Sequence, residues 1–357
     1  MSRVYLDWNA TAPLRPEARA AMLAAMDLVG NPSSVHAEGR AAKGMIERAR
    51  AQVAQAVGCN PSEVIFTSGA TEAAMVLSRL PAGCNNVWVD PTAHDCLYSH
   101  APVPEARAGG HTLAWGYANN ETGLITPPPP KTDEGWSFGA QRASWLLLDI
   151  VQAVGKVPFS FAWSGADMAI VSAHKFGGPK GVGALILRDG LEISPILTGG
   201  GQEMGRRAGT ENVIEIAGFG AAAEAAARDL ADGIWDQVAE IRNILDLALS
   251  AFEFETISVG KSKVRLPNTI CLMAPGWKGE TQVMAMDLAG FAISAGSACS
   301  SGKVKTSRVL KAMGYSEERA AQAIRISIGP TTTKDEVLRF AESWGREYKR
   351  ILSRMAR

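Results

Sequence analysis

Four places in the chain put reactive or charge-bearing side chains directly after short apolar runs. "EVIFT" (63–67) runs into Ser68, Gly69, Ala70 and Thr71, and "NVWV" (86–89) leads to a loop carrying His94. "WLLLDI" (145–150) holds Asp149 with Gln152 close behind, and "MAIVS" (168–172) ends in Ser172, Ala173, His174 and Lys175. Each type has its own chemistry. A small-residue turn that opens a helix offers free N–H groups to a phosphate. An imidazole can stack on a ring, a carboxylate can hold a proton on a ring nitrogen, and a primary amine can condense with a carbonyl. A fifth stretch, "SAGSACSSGKVKTS" (294–307), sets Cys299 among serine, alanine and glycine, with Lys303 and Lys305 beyond it. Structural cysteines keep bulky apolar company. This one sits on a small, loose, polar segment, where nearby cations favour the thiolate.

Singly, each group has a plain structural reading: Thr71 a cap, His94 a surface histidine, Asp149 a helix N-cap, Lys175 a solvated charge. Their recurrence at successive strand ends is the informative fact, because ligands of α/β sheets collect at the carboxyl ends of the strands. A phosphate cup, a stacking imidazole, a carboxylate and an amine together are the set that pyridoxal 5′-phosphate (PLP) requires.

The elements that must hold these groups can be read from periodicity. Residues 16–29 and 37–57 read as helices; in the second, Ile46, Ala49, Val53 and Val57 recur at helical spacing before Gly58. "EVIFT" leads into a helical "ATEAAMVLSRL", and "NVWV", "TLAWGYA" (112–118), "WLLLDI", "MAIVS" and "GALILR" (183–188) are compact strands. Their alternation with helical and loop segments predicts an α/β domain on a mostly parallel sheet. "PPPP" (127–130) must be loop. Alanine-rich helices at 212–229 and 233–251 follow. From about 252 strands, the cysteine segment and two further helices suit a smaller α+β domain. The expected division is a large domain over 15–250 and a small domain over 251–357 joined by residues 1–14.

Composition narrows the classes. The 357 residues are 46% hydrophobic and 20% charged with formal net charge zero, so no acidic or basic excess points to nucleic acid or an anionic membrane. No apolar leader opens the sequence and no run has membrane-spanning length, so a cytosolic protein is expected. Five cysteines (Cys59, Cys84, Cys96, Cys271, Cys299), scattered and without a CxxC pair, argue against a disulfide framework or a zinc ribbon. "HDCLYSH" (94–100) lacks a second ligand pair, so no metal is expected. No G-x-G-x-x-G follows a strand to open a helix, which disfavours a dinucleotide-binding dehydrogenase.

Read in order, "YLDWNATAP", "GNPSSVHAEGR", "VIFTSGATE", "ANNETG", "SAHKFGGPKGVGAL", "GGGQEMGRRAGTENV", "SAGSACSSG" and "IRISIG" span nearly the whole chain. In these motifs the sequence resembles the cysteine desulfurases of the class V aminotransferase superfamily, PLP-dependent enzymes of fold type I that supply sulfur for iron–sulfur clusters. The resemblance implies that Lys175 is the Schiff-base lysine, that Asp149 pairs with the pyridine nitrogen, that Gln152 meets the ring hydroxyl and that His94 stacks on the ring. It implies that Ala70, Thr71, Ser172 and His174 bind the phosphate, with Thr210 reaching it from the partner subunit of a homodimer. Asn120 would lie beside the cofactor, Arg325 would hold the substrate carboxylate, and Cys299 would take the sulfur as a persulfide for an acceptor or iron–sulfur scaffold protein. The segment after Cys299 has the longer form of the housekeeping and nitrogen-fixation desulfurases.

The chain also departs from the family. Ile150-Val151 replaces the usual Ala-Thr, the span from His94 to Asn120 is short, and "PPPPKTDEGWSFGAQRASW" stands where a helical crossover is usual. Selenocysteine lyase activity, a simple class V aminotransferase and a non-catalytic PLP-fold subunit are the competing readings. Turnover of cysteine against selenocysteine separates the first. Full activity without Cys299 would favour the second, and the third would need a broken site.

Overall fold

Short apolar runs with no polar face make strands that are covered on both sides. Met168–Ser172 and Gly183–Leu187 are buried at every position, as is Val64–Thr67. The computed structural model describes residues 3–80, 84–101, 110–139, 141–296 and 306–356. Two units are distinguished: 13–117 with 126–231, and 1–12 with 118–125 and 232–357.

In the larger unit a six-stranded sheet runs in the order Val64–Thr67, Gly183–Leu187, Met168–Ser172, Trp145–Asp149, Gly110–Gly116, Cys84–Val89. Neighbours from Cys84–Val89 through Met168–Ser172 pair in parallel, and only Gly183–Leu187 runs against both of its neighbours. The fold is thus the mostly parallel α/β type. Helix Ala37–Val57 buries Ile46, Ala49, Val53 and Val57 and stops at Gly58, whose φ of 74° is left-handed. Each large aliphatic side chain buried this way contributes about 1.5–3 kcal/mol. Helix Val213–Ala231 packs through small residues, burying Ala217, Ala222, Ala223 and Ala226.

Among the described residues, the connection after Gly116 contains no helix. Lys131–Thr132, Gly135–Phe138 and Gln141–Ala143 form an antiparallel three-stranded sheet in its place. Trp136 anchors it, buried, with its indole N–H 3.4 Å from Asp167 Oδ2. The helix expected over 16–29 ends at Met26, and the stretch after Gly69 is one α-turn, Ala70–Ala73, continued as a 3-10 helix to Ser78.

The smaller unit holds a four-stranded antiparallel sheet, Ile257–Ser258, Thr269–Met273, Ala323–Ser327, Ser294–Ala295, and helices that include Ile234–Ser250 and Lys334–Met355. Helix Ile234–Ser250, expected in the large domain, belongs here. Its buried Asp246 forms an ion pair with Arg265 and accepts a bond from Ser258 Oγ at 3.2 Å, and both partners lie in this unit. Residues 118–125 join it as well, with Leu124 bridging to Arg265.

Candidate active site

Sheet order brings two of the predicted segments together in the larger unit. Gly183 opens its strand opposite Thr67 on one side and Ser172 on the other. A Cβ there would lie 2.5 Å from the Val171 carbonyl oxygen and 2.7 Å from Gly69 Cα, so only glycine lets the two strand ends close up. The turn Ser68-Gly69 with Ala70 and Thr71 therefore adjoins Ser172, His174 and Lys175. Gly69 itself has a φ of 155°, and a Cβ built on it would meet no atom within 4 Å. That open space, in front of a helical turn with N–H groups to offer, has the form of an anion cradle. The turn is braced from behind. Ser68 N–H donates to Glu72 at 2.7 Å and Arg207 Nε–H to the same carboxylate at 2.8 Å. Burial alone would raise the Glu72 carboxyl, but the bonds from Arg207 and Ser68 reverse that and hold it below its usual range.

Asp149 ends the next strand, almost fully buried, and accepts the Val151 N–H at 3.0 Å. Burial pushes its carboxyl up, against the opposing pull of His94, that N–H and Lys175. The carboxylate, the imidazole and the amine thus lie within electrostatic reach of one another. His94 caps the short helix Asp95–Tyr98, and its Nδ1 accepts the Cys96 N–H at 3.1 Å. That bond assigns the ring proton to Nε2 and fixes the plane of the ring. Gln152 is buried, and its Oε1 accepts from the buried Lys156 Nζ at 2.7 Å, which orients the amide. Burial and then the charges of Lys175, Lys180 and Lys156 push His174 down to about 4, so it is neutral at pH 7. Three lysines around one neutral imidazole make a positive field suited to a doubly charged phosphate. By the donors present, the residues fit PLP.

Thr210 is exposed and lines a cavity of about 170 Å³ with Thr67, Ser68, Arg207 and Asn212. Behind it Glu203 and Met204 have left-handed φ values of 47° and 56°. Such strain persists where the surroundings over-determine the backbone. Here Arg50 makes two 2.8 Å bonds to the Glu203 carboxylate, which also accepts the Phe66 N–H at 2.9 Å.

The smaller unit holds Arg325 and Asn120. Arg325 is 4% exposed, donates Nη1–H to the Asn120 carbonyl at 3.1 Å and Nη2–H to Asp7 Oδ1 at 2.7 Å. Asn120 therefore meets Arg325 through its backbone. Cys299 lies outside the described residues. The described thiols are poor nucleophiles: burial raises Cys96 and Cys271 and pushes Cys59 to about 12. Sequence reasoning missed Lys156, Asp7 and the Arg50–Glu203 pair. Only Lys156, four residues after Gln152, had a local signal. Among the described residues no group of His, Cys, Asp and Glu could hold a metal ion, and no helix is long and apolar enough to cross a membrane.

Known proteins are similar to this chain over nearly its whole length. The Aminotransferase class-V family matches residues 4–84 and 110–340. The unmatched interval, 85–109, includes His94 and overlaps the short span from His94 to Asn120. A cysteine desulfurase of Frankia sp. is 37% identical over 98% of this chain and 92% of its own length. One from Cereibacter sphaeroides is 38% identical over 96% and 95%. A NifS-like protein from Rickettsia africae superimposes with a TM-score of 0.84 at 28% identity, covering 97% of this chain and 99% of that one.

Proposed function

We infer the activity from the premise that the chain belongs to the class-V aminotransferase family and that its near full-length relatives are cysteine desulfurases. It is a PLP-dependent cysteine desulfurase. L-Cysteine and the Cys299 thiol become L-alanine and a Cys299 persulfide: the substrate C–S bond breaks, an S–S bond forms, and the thiol proton balances the product. No external oxidant or reductant is needed.

The observation that carries this reading is the grouping of Asp149, His94 and Lys175 with the Lys156–Lys175–Lys180 field around His174. PLP, when bound, supplies an electron sink that makes the substrate's Cα and sulfur reactive. Lys175 Nζ would hold it covalently and would carry the substrate's Cα proton. The Asp149 carboxylate would keep a proton on the ring nitrogen, and the oriented Gln152 amide would donate to the ring oxygen. The His94 ring would stack on the cofactor and would handle the substrate thiol proton. Ala70, Thr71, Ser172 and His174 hold the phosphate, and Thr210 of the partner subunit completes the cup in a homodimer. By the family resemblance Asn120 would contact the cofactor and Arg325 would take the substrate carboxylate, for which a guanidinium fork is apt. Cys299, on its small-residue segment, accepts the sulfur and passes it in the cytosol to an acceptor such as an iron–sulfur scaffold protein.

Two labels test this. Borohydride reduction followed by peptide mapping should place the cofactor on Lys175. Alkylation after one turnover with L-cysteine should trap the persulfide on Cys299. Cofactor on another lysine, or sulfide released at the wild-type rate by Cys299→Ser, would overturn the assignment.

A further inference from the structure

Arg325 is pinned but not saturated. Its Nη1–H goes to the Asn120 carbonyl and its Nη2–H to Asp7 Oδ1, while Nε, fully buried, has no acceptor among the described residues. A guanidinium presents Nε–H and one Nη2–H along the same edge, and a carboxylate beside that edge ordinarily takes both. Asp7 takes one. Its other oxygen, Oδ2, accepts the Ser294 hydroxyl at 2.8 Å.

The backbone fixes this triangle. Ser294 is the cross-strand partner of Arg325. The N-terminal segment bonds to the same strand at Ser327, where Ser327 N–H donates to Leu6 at 2.9 Å and Trp8 N–H to Ser327 at 3.1 Å. Thr269 already pairs with Ser327 on the strand's other side, so Asp7 and Ser294 share one edge of it. Neither is free to drift from Arg325. Buried N–H donors are rarely left without partners, and one that is unsatisfied calls for an explanation.

We propose that Asp7 is a positioning residue which aims Arg325 while meeting it through one oxygen, and that Ser294 holds the other oxygen back so that the Nε edge stays open for the substrate carboxylate. The proposal rests on the reading that Arg325 binds that carboxylate. Asp7 also tempers the clamp. It neutralises the guanidinium in the empty protein and limits how tightly any carboxylate is held there.

The test uses the holoenzyme and two competitors of L-cysteine: 3-mercaptopropionate, which has the carboxylate and no amine, and cysteamine, which has the amine and no carboxylate. With Ser294→Ala, Asp7 rotates to take Nε–H and Nη2–H together and shuts the edge. The inhibition constant of 3-mercaptopropionate should rise about tenfold, the worth of one hydrogen bond to a charged group, with that of cysteamine unchanged. Ser294→Thr keeps a hydroxyl and should stay near wild type. Asp7→Asn added to Ser294→Ala should restore 3-mercaptopropionate binding, because an amide has one acceptor and cannot close both N–H groups. A Ser294→Ala protein that binds both competitors like wild type, or loses both equally, overturns the proposal. Arg325→Lys separates the premise. If it leaves the ratio of the two constants unchanged, Arg325 does not read the carboxylate and both ideas fall. If it changes the ratio while Ser294→Ala does not, only the proposal falls.

Discussion

Glu203→Gln should destabilise the larger unit out of proportion to its size. The side chains of Glu203 and Arg50 are 1% and 7% exposed, so their charges are compensated by each other and not by water. Burial alone would lower Arg50; the hydrogen bond and charge of Glu203, with help from Glu47, outweigh it and raise the guanidinium above its ordinary value. Removing one member of such a pair leaves a buried charge unmatched, at a cost of about 3–5 kcal/mol. Glutamine keeps one oxygen for the Phe66 N–H but turns an amide N–H toward the Arg50 guanidinium, so two donors face each other. The partly exposed Glu47, at 3.2 Å from Arg50, can recover only a fraction. Arg50→Met with Glu203→Gln removes the stranded charge and keeps the Phe66 bond. The double variant should therefore be about 1–3 kcal/mol more stable than Glu203→Gln alone. Urea unfolding of the cofactor-free proteins, followed by far-ultraviolet circular dichroism and by tryptophan fluorescence, reads all four corners of the cycle. A Glu203→Gln cost below about 1 kcal/mol, or a double-variant cost equal to the sum of the singles, would refute the claim that the pair is a coupled buried unit.

Two further outcomes follow from the site. Asp149 is an acid whose folded pKa burial has raised above its unfolded value, so stability is lost as pH rises from the unfolded value through the folded one. Cofactor-free Asp149→Asn should melt higher than wild type at pH 7 and bind PLP at least about tenfold more weakly, a stability–function trade; a lower melting temperature would refute it. Limiting iodoacetamide at pH 7.5 should label Cys299 well before Cys59, whose thiol, at about 12, is roughly three orders of magnitude less ionised than an ordinary one. Equal labelling of the two, read by peptide mass spectrometry, would remove the contrast.

The candidate cofactor residues stand out in the sequence because each follows an apolar run and is of a type that the run does not need. Lys175, Asp149 and His94 are informative even before any pairing is known. Asp7 and Ser294 are not. Their meaning lies in bonds that span 318 and 287 residues, and neither position has a local pattern that predicts its partner. Glu203 reads as a loop carboxylate until its burial against Arg50 is seen. Helix Ile234–Ser250 shows why the domain boundary was harder than the elements: helical periodicity announces a face to bury, not which sheet will cover it. The three-stranded insert did leave a trace, since Trp136 and Phe138 alternate after Gly135, whose φ of 113° suits a turn. The proline run before it drew attention to what was missing, a helix, and away from what replaced it.

The antiparallel strand Gly183–Leu187 sets a timetable for synthesis. In the sheet order Val64–Thr67 has one neighbour only, and that neighbour is the last of the six strands to be made. A ribosome that has released Val64–Thr67 must extend the chain by more than a hundred residues before the strand can be hydrogen-bonded into the sheet, and until then the Gly69 turn has nothing to close against. Contacts this distant in sequence form slowly and leave an unpaired apolar edge exposed in the meantime. On the proposed reading, the nascent chain should not hold PLP until Gly183–Leu187 has emerged, and truncations ending before that strand should bind chaperones and not PLP.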